Sequence, residues 1–176
     1  FTPSSACTLG KSSQNSNTFY YARVWAQIAD PPLTAAGNKY VIELPTATTD
    51  QWQAQVHFHT DMATNADNSY DFSAKLLSST DHNNVTVKLT KEGDDNTYYF
   101  MENIQLKAGQ EYIFYKSNMA GIDMDKINLV FDFGGNAENT KITVRDIDLQ
   151  EHGCDGIEAP AEDEDKTVYT YDSESN

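Results

Sequence analysis

Basic residues are scarce. The chain carries 12 Lys and Arg against 27 Asp and Glu, a formal net charge of −15 over 176 residues. A surface of that sign repels phosphate backbones and anionic lipid headgroups, so nucleic acid is excluded as a partner, whereas a neutral ligand meets no such penalty. Long apolar runs are also missing. No stretch approaches the roughly 18 apolar residues of a membrane helix, which excludes helical membrane insertion. Helical periodicity is absent from every segment, and there is no internal repeat. The chain has no Gly-x-Ser-x-Gly, no Gly-rich phosphate loop and no Cys-x-x-Cys, the local signatures of acyl transfer, nucleotide binding and thiol redox chemistry.

Cysteine is limited to two residues, Cys7 and Cys154, just outside the two ends of the patterned region. In a β-sandwich the first and last strands often lie side by side, so a Cys7–Cys154 disulfide closing the domain is expected; two free thiols are the alternative. Closing so long a loop stabilises by about 4–5 kcal/mol in the chain-entropy model and points to an oxidising compartment.

What is present is strand signal. Period-2 alternation bounded by Gly, Asn, Asp and Pro predicts strands near 19–27, 38–46, 52–60, 69–78, 84–91, 97–106, 111–117, 127–133 and 140–151. The expected fold is all-β: a jelly-roll sandwich of about nine antiparallel strands with a concave ligand-binding sheet. Residues 1–17 form a Ser-, Thr- and Asn-rich leading segment, 18–154 the domain, and 155–176 an acidic linker or tail around Glu162-Asp163-Glu164-Asp165. The chain starts at Phe1, as a mature protein or an excised piece of a longer one would.

Alternation also assigns faces. Tyr70, Phe72, Ala74 and Leu76 fall in the core, as do Val85, Val87 and Leu89, and Ala54, Val56 and Phe58. Ile127, Leu129, Phe131 and Phe133 join them. The opposite faces carry Gln53, Gln55, His57 and His59, then Thr86, Lys88 and Thr90, then Asn128, Val130 and Asp132. If these strands share a sheet, they line one polar surface. His57 and His59 fall on the same face, about 7 Å apart by pleat geometry, and two ligands are too few for a metal without a third.

Three stretches carry a resemblance. Gly37-Asn38-Lys39-Tyr40-Val41-Ile42, Trp52-Gln53-Ala54-Gln55-Val56 and Tyr70-Asp71-Phe72-Ser73-Ala74-Lys75 resemble family 4 carbohydrate-binding modules and their relatives in families 9 and 22. Ile127–Gly134 resembles the penultimate strand of that family, and Ile142-x-Val144-x-x-Ile147-x-Leu149 its closing strand. The resemblance spans about residues 19–151 and rests on the order and spacing of the pieces.

It implies a jelly roll that binds a single glycan chain in a groove. The stacking Trp and the residue three places on correspond to Trp52 and Gln55. The second ring corresponds to Tyr98 or Tyr99, and two polar positions to Asn128 and Asp132; His57 is added from its place on the strand. Trp25 is assigned to the core. The family's opening calcium motif is missing, and Arg145 stands where its closing Asp would be, with Asp146 out of register. No cofactor is therefore expected, and the disulfide takes over the tying of the ends.

The function expected is a non-catalytic module that binds xylan first, or β-glucan as the alternative. It would target an attached glycoside hydrolase such as an endo-xylanase, as a monomer within a multidomain enzyme that is secreted, periplasmic or on the cell surface. A structural or adhesive spacer without a sugar site is the rival. A glycosidase needs two carboxylates across a cleft, and Asp71, Glu102 and Asp132 are scattered over separate strand segments without a tight acidic motif.

Overall fold

The computed structural model describes residues 19–24, 33–37, 39–60, 62–153 and 167–172. Trp25, Cys7 and Cys154 lie outside the described residues, as does most of the two flanking segments.

Eleven strands occur in chain order: β1 Phe19–Val24, β2 Leu33–Ala36, β3 Lys39–Leu44, β4 Ala54–His59, β5 Ser69–Ser78, β6 His82–Lys91, β7 Asp94–Leu106, β8 Tyr112–Ala120, β9 Ile127–Asp132, β10 Thr140–Glu151 and β11 Thr167–Asp172. They form a five-stranded sheet, β1-β4-β9-β6-β7, and a six-stranded sheet, β11-β8-β5-β10-β3-β2. From β3 to β10 the chain changes sheets at every connection except the β6–β7 hairpin, which is jelly-roll winding. All nine strands expected from the alternation are present: β5 and β10 span the expected residues, β1 is described over 19–24 of the expected 19–27, and the ends of the others shift. Two more, β2 and β11, were not anticipated. β11 lies inside the segment read as an acidic tail and pairs with β8 in parallel, so the sandwich is not wholly antiparallel.

The two sheets meet through the side chains that alternation assigned to the core. Tyr70, Phe72, Ala74 and Leu76 from one sheet, and Val85, Val87, Leu89, Phe131 and Phe133 from the other, are all buried. Phe72, Phe100 and Phe114 pack as a tilted aromatic cluster with centroids 4.9–6.0 Å apart.

Bulges correct the parity where the sequence breaks it. In β10 the register shifts between Arg145 and Asp148, and Asp146 takes a positive φ of 53°. The extra residue turns Ile147 and Leu149 back into the core after Val144. Asp tolerates this left-handed geometry better than most L-residues. Arg145 pairs there with Glu111 and with Asp146, and Lys75 with Asp146 at 3.2 Å.

Candidate functional site

The outer face of the five-stranded sheet follows from its register. Directly opposed residues of antiparallel strands share a face, so four strands generate three rows. The first is Gln55–Asp132–Thr86–Asn103, the second His57–Val130–Lys88–Met101, and the third His59–Asn128–Thr90–Tyr98. At ordinary strand spacing and rise this floor measures about 14 Å across the strands and about 13 Å along them.

A 3-10 turn, Gln51–Gln53, stands at the first-row end. Trp52 therefore projects from a turn, not from the strand on which the sequence pattern placed it. Gln53 Oε1 accepts from the backbone N–H of Asp50 at 2.8 Å and of Thr49 at 2.9 Å, so the side chain caps its own turn. Gln51 Nε2 reaches over the sheet end to Thr86 Oγ1 at 2.6 Å, the Asn84 carbonyl at 3.0 Å and Asn103 Oδ1 at 3.3 Å. Thr86 Oγ1 in turn donates to Asn103 Oδ1 at 2.7 Å.

Three large apolar side chains on or beside this face are open to solvent: Trp52 at 50 %, Tyr98 at 44 % and Met101 at 43 %. Trp52 belongs to the turn beyond the first row and Tyr98 to the far corner of the third, so the polar floor lies between these two residues. The ambiguity between Tyr98 and Tyr99 is resolved by a bulge. Leu89 pairs with Phe100 and Thr90 with Tyr98, leaving Tyr99 as the extra residue. Tyr98 keeps the outer face, while Tyr99 turns inward with Phe100. The Tyr99 hydroxyl lies 2.7 Å from Thr64 Oγ1 and accepts from the Ile122 N–H at 3.0 Å. Its ring meets Tyr70 edge-on with centroids 5.9 Å apart. Burial raises its pKa above the ordinary phenol value. Tyr99 is thus a packing residue here, and the expectation that it lines the groove is replaced by Tyr98 alone.

The floor is polar, and its one lysine is already paired. Lys88 Nζ lies 2.8 Å from Asp132 Oδ2, and His59 Nδ1 lies 3.3 Å from Glu92 Oε1. The His57 and His59 rings stack with centroids 5.6 Å apart, and His57 Nε2 is 3.2 Å from Gln55 Oε1. Thr90 Oγ1, Asn128 Oδ1 and Asp132 Oδ1 are buried without a hydrogen-bond partner among the described residues. All three belong to this face, whereas buried polar atoms are normally satisfied.

The expected site residues Gln55, His57, Asn128, Asp132 and Tyr98 thus come together on one face, with Trp52 at its end. Gln51, Thr86, Lys88, Met101 and Asn103 share the surface without having been singled out. Thr86 and Lys88 were visible in the alternation of β6. Gln51 and Met101 gave no local signal, since their place depends on the turn and on the β7 bulge.

The scattered carboxylates stay apart. Asp71 belongs to the six-stranded sheet, where its Oδ1 accepts from the Asn118 N–H at 2.7 Å and lies 2.8 Å from His152 Nδ1. Glu102 pairs with Lys116, and Asp132 with Lys88. No group of three or more His, Cys, Asp or Glu able to hold a metal occurs among the described residues.

No protein-family model matches the chain, and no curated protein matches it. Solved structures do. One described as "CBM4 structure and function" is 19 % identical, with a TM-score of 0.56, over 79 % of this chain and 90 % of that one. The N-terminal cellulose-binding domain of β-1,4-glucanase C from Cellulomonas fimi is 13 % identical, with a TM-score of 0.55, over 85 % and 98 %. The second N-terminal cellulose-binding domain of the same glucanase is 15 % identical, with a TM-score of 0.51, over 85 % and 95 %. At these identities the likeness is one of fold.

Proposed function

We propose that the outer face of the five-stranded sheet binds a single uncharged polysaccharide chain, without catalysis. The observation that carries this reading is a pair of solvent-open aromatic residues, Trp52 in the turn at the first-row end and Tyr98 at the far corner, with a hydrogen-bonding floor between them. A flat ring covers the apolar face of a pyranose, and the rows between supply donors and acceptors for hydroxyls. Each stacked sugar contributes about 1 kcal/mol beyond its buried area, by analogy with aromatic pairs, and each neutral hydrogen bond nets a similar amount. A few such contacts give micromolar to millimolar binding after association costs.

Charge supports a neutral ligand. Lys88, the one lysine in the three rows, already faces Asp132, so it is not free to attract an acidic polymer. The shared chemistry is a β-1,4-linked pyranose chain. Xylan is the first polymer to test, from the Trp-x-x-Gln resemblance. β-Glucan is second, from the cellulose-binding names of two structures of like fold. Such a module serves an attached, secreted glycoside hydrolase by raising the local concentration of its polymer.

Affinity electrophoresis and calorimetry with xylan, barley β-glucan and laminarin test the proposal. Trp52→Ala is expected to abolish binding with an unchanged melting temperature, because half of the ring is already in solvent. Full binding by that variant sinks the site. Failure of the unmutated protein to bind any of the polymers favours a structural sandwich instead.

A further inference from the structure

We propose that Gln51 is the positioning residue for Trp52, fastening the stacking ring to the hydrogen-bonding floor so that the two form one preorganised unit. The inference rests on the reading of this face as a glycan site. It starts from what does not hold Trp52. The ring is half exposed, so its own packing is weak. The turn that carries it has three residues, too few to persist by itself.

Several contacts fix the turn locally. Gln53 caps it from within. The Gly134 N–H donates to the Gln51 carbonyl at 2.9 Å, and the Phe133 N–H to the Ala54 carbonyl at 2.7 Å. These tie the turn to itself and to the end of β9. Of the turn's hydrogen bonds among the described residues, those of the Gln51 side chain carry it further, past β9 to β6 and β7. Its Nε2 group has two protons and three oxygens in reach: Thr86 Oγ1, the Asn84 carbonyl and Asn103 Oδ1. Thr86 uses its own proton on Asn103, so its oxygen is left to accept from Gln51. The amide therefore acts as a donor bridge from the turn to the first row of the floor.

The consequence is entropic. A ring that must be ordered on binding costs affinity, and a ring held in place beforehand does not. Gln51→Ala removes the bridge. Gln51→Glu keeps its length but removes both donated protons and sets a carboxylate against the Asn84 carbonyl. Thr86→Val removes the central acceptor from the opposite side and serves where a Gln51 variant fails to fold.

The primary readout needs no ligand. Acrylamide quenching and fast depolarisation of tryptophan fluorescence are measured for each variant, and Trp52→Phe separates the Trp52 signal from that of Trp25. Both Gln51 variants are expected to raise quenching of Trp52 and to weaken binding of xylan or barley β-glucan about tenfold, the order of one ordered side chain. The melting temperature is expected to stay within about 3 °C, as for a surface contact in a chain of this size. An unchanged Trp52 signal in both variants overturns the proposal. If Trp52 loosens while the unmutated protein binds no polysaccharide, the positioning role stands and the glycan reading falls.

Discussion

Tyr98 and Tyr99 are chemically identical neighbours with opposite roles. Tyr98 offers its ring to solvent, whereas Tyr99 spends its hydroxyl on Thr64 and Ile122. Tyr98→Ala is therefore expected to weaken polysaccharide binding about fivefold, from the ~1 kcal/mol of a stacking contact, with little change in melting. Tyr99→Phe leaves the part-buried Ile122 N–H without its acceptor, and is expected to cost about 1 kcal/mol or more in denaturant unfolding while leaving affinity intact. The reverse pattern would reassign the groove. His82 is a second residue with a defined state. It is buried, its Nε2 lies 2.8 Å from the Phe133 carbonyl, and its Nδ1 accepts from the Asn84 N–H at 3.3 Å. That geometry fits a neutral ring protonated on Nε2. Burial depresses its pKa below the ordinary 6.5. The unfolded chain therefore binds the proton first. Stability from this group is full above pH 6.5 and is lost as the pH falls below it, toward the depressed folded value. Melting curves between pH 7.5 and pH 5 (about one to two units on either side) are expected to show this loss, and His82→Gln should flatten it. An equal slope in the variant would show that other groups carry the acid sensitivity.

At the scale of elements, two bulges and one turn decide which residues meet. The β10 bulge is legible in sequence, because Ile142-x-Val144-x-x-Ile147-x-Leu149 contains one residue too many for strict alternation. The β7 bulge is not, because Tyr98-Tyr99-Phe100 offers three aromatics in a row and any of them suits a core. β2 escaped notice because four residues after a Pro-Pro pair carry little pattern, and β11 because it follows an acidic run and gains its place by pairing with the edge of β8. The Trp52 turn depends on a close approach at Gly134. A Cβ there would lie 2.0 Å from the Asp50 carbonyl oxygen and 2.5 Å from that of Gln51, both backbone atoms that cannot swing aside. Gly134→Ala should push the turn off β9, costing about 1–3 kcal/mol of stability and weakening polysaccharide binding with it. Normal affinity in a folded Gly134→Ala protein would show that the turn tolerates displacement.

Over the whole molecule, charge and site are decoupled. The chain carries a net charge of −15, while the floor's lysine, Lys88, is paired locally with Asp132. Binding of a neutral chain should then change less than about twofold between low and high salt, because no long-range attraction is available to screen. A steep salt dependence in calorimetry would point to an acidic ligand. The sequence by itself determined the sandwich. Alternation buries one side of each strand, and the hydrophobic effect needs nothing more to choose which side faces in. The same alternation placed Gln55, His57, Asn128 and Asp132 on outward positions. The tertiary structure decided which strands lie side by side, and hence that these residues share a floor with Thr86, Lys88 and Asn103. It alone showed Tyr98 outside, Tyr99 inside, and Trp52 on a turn held by Gln51. Register and bulges arise from pairing between segments distant in the chain, so no local window of sequence contains them.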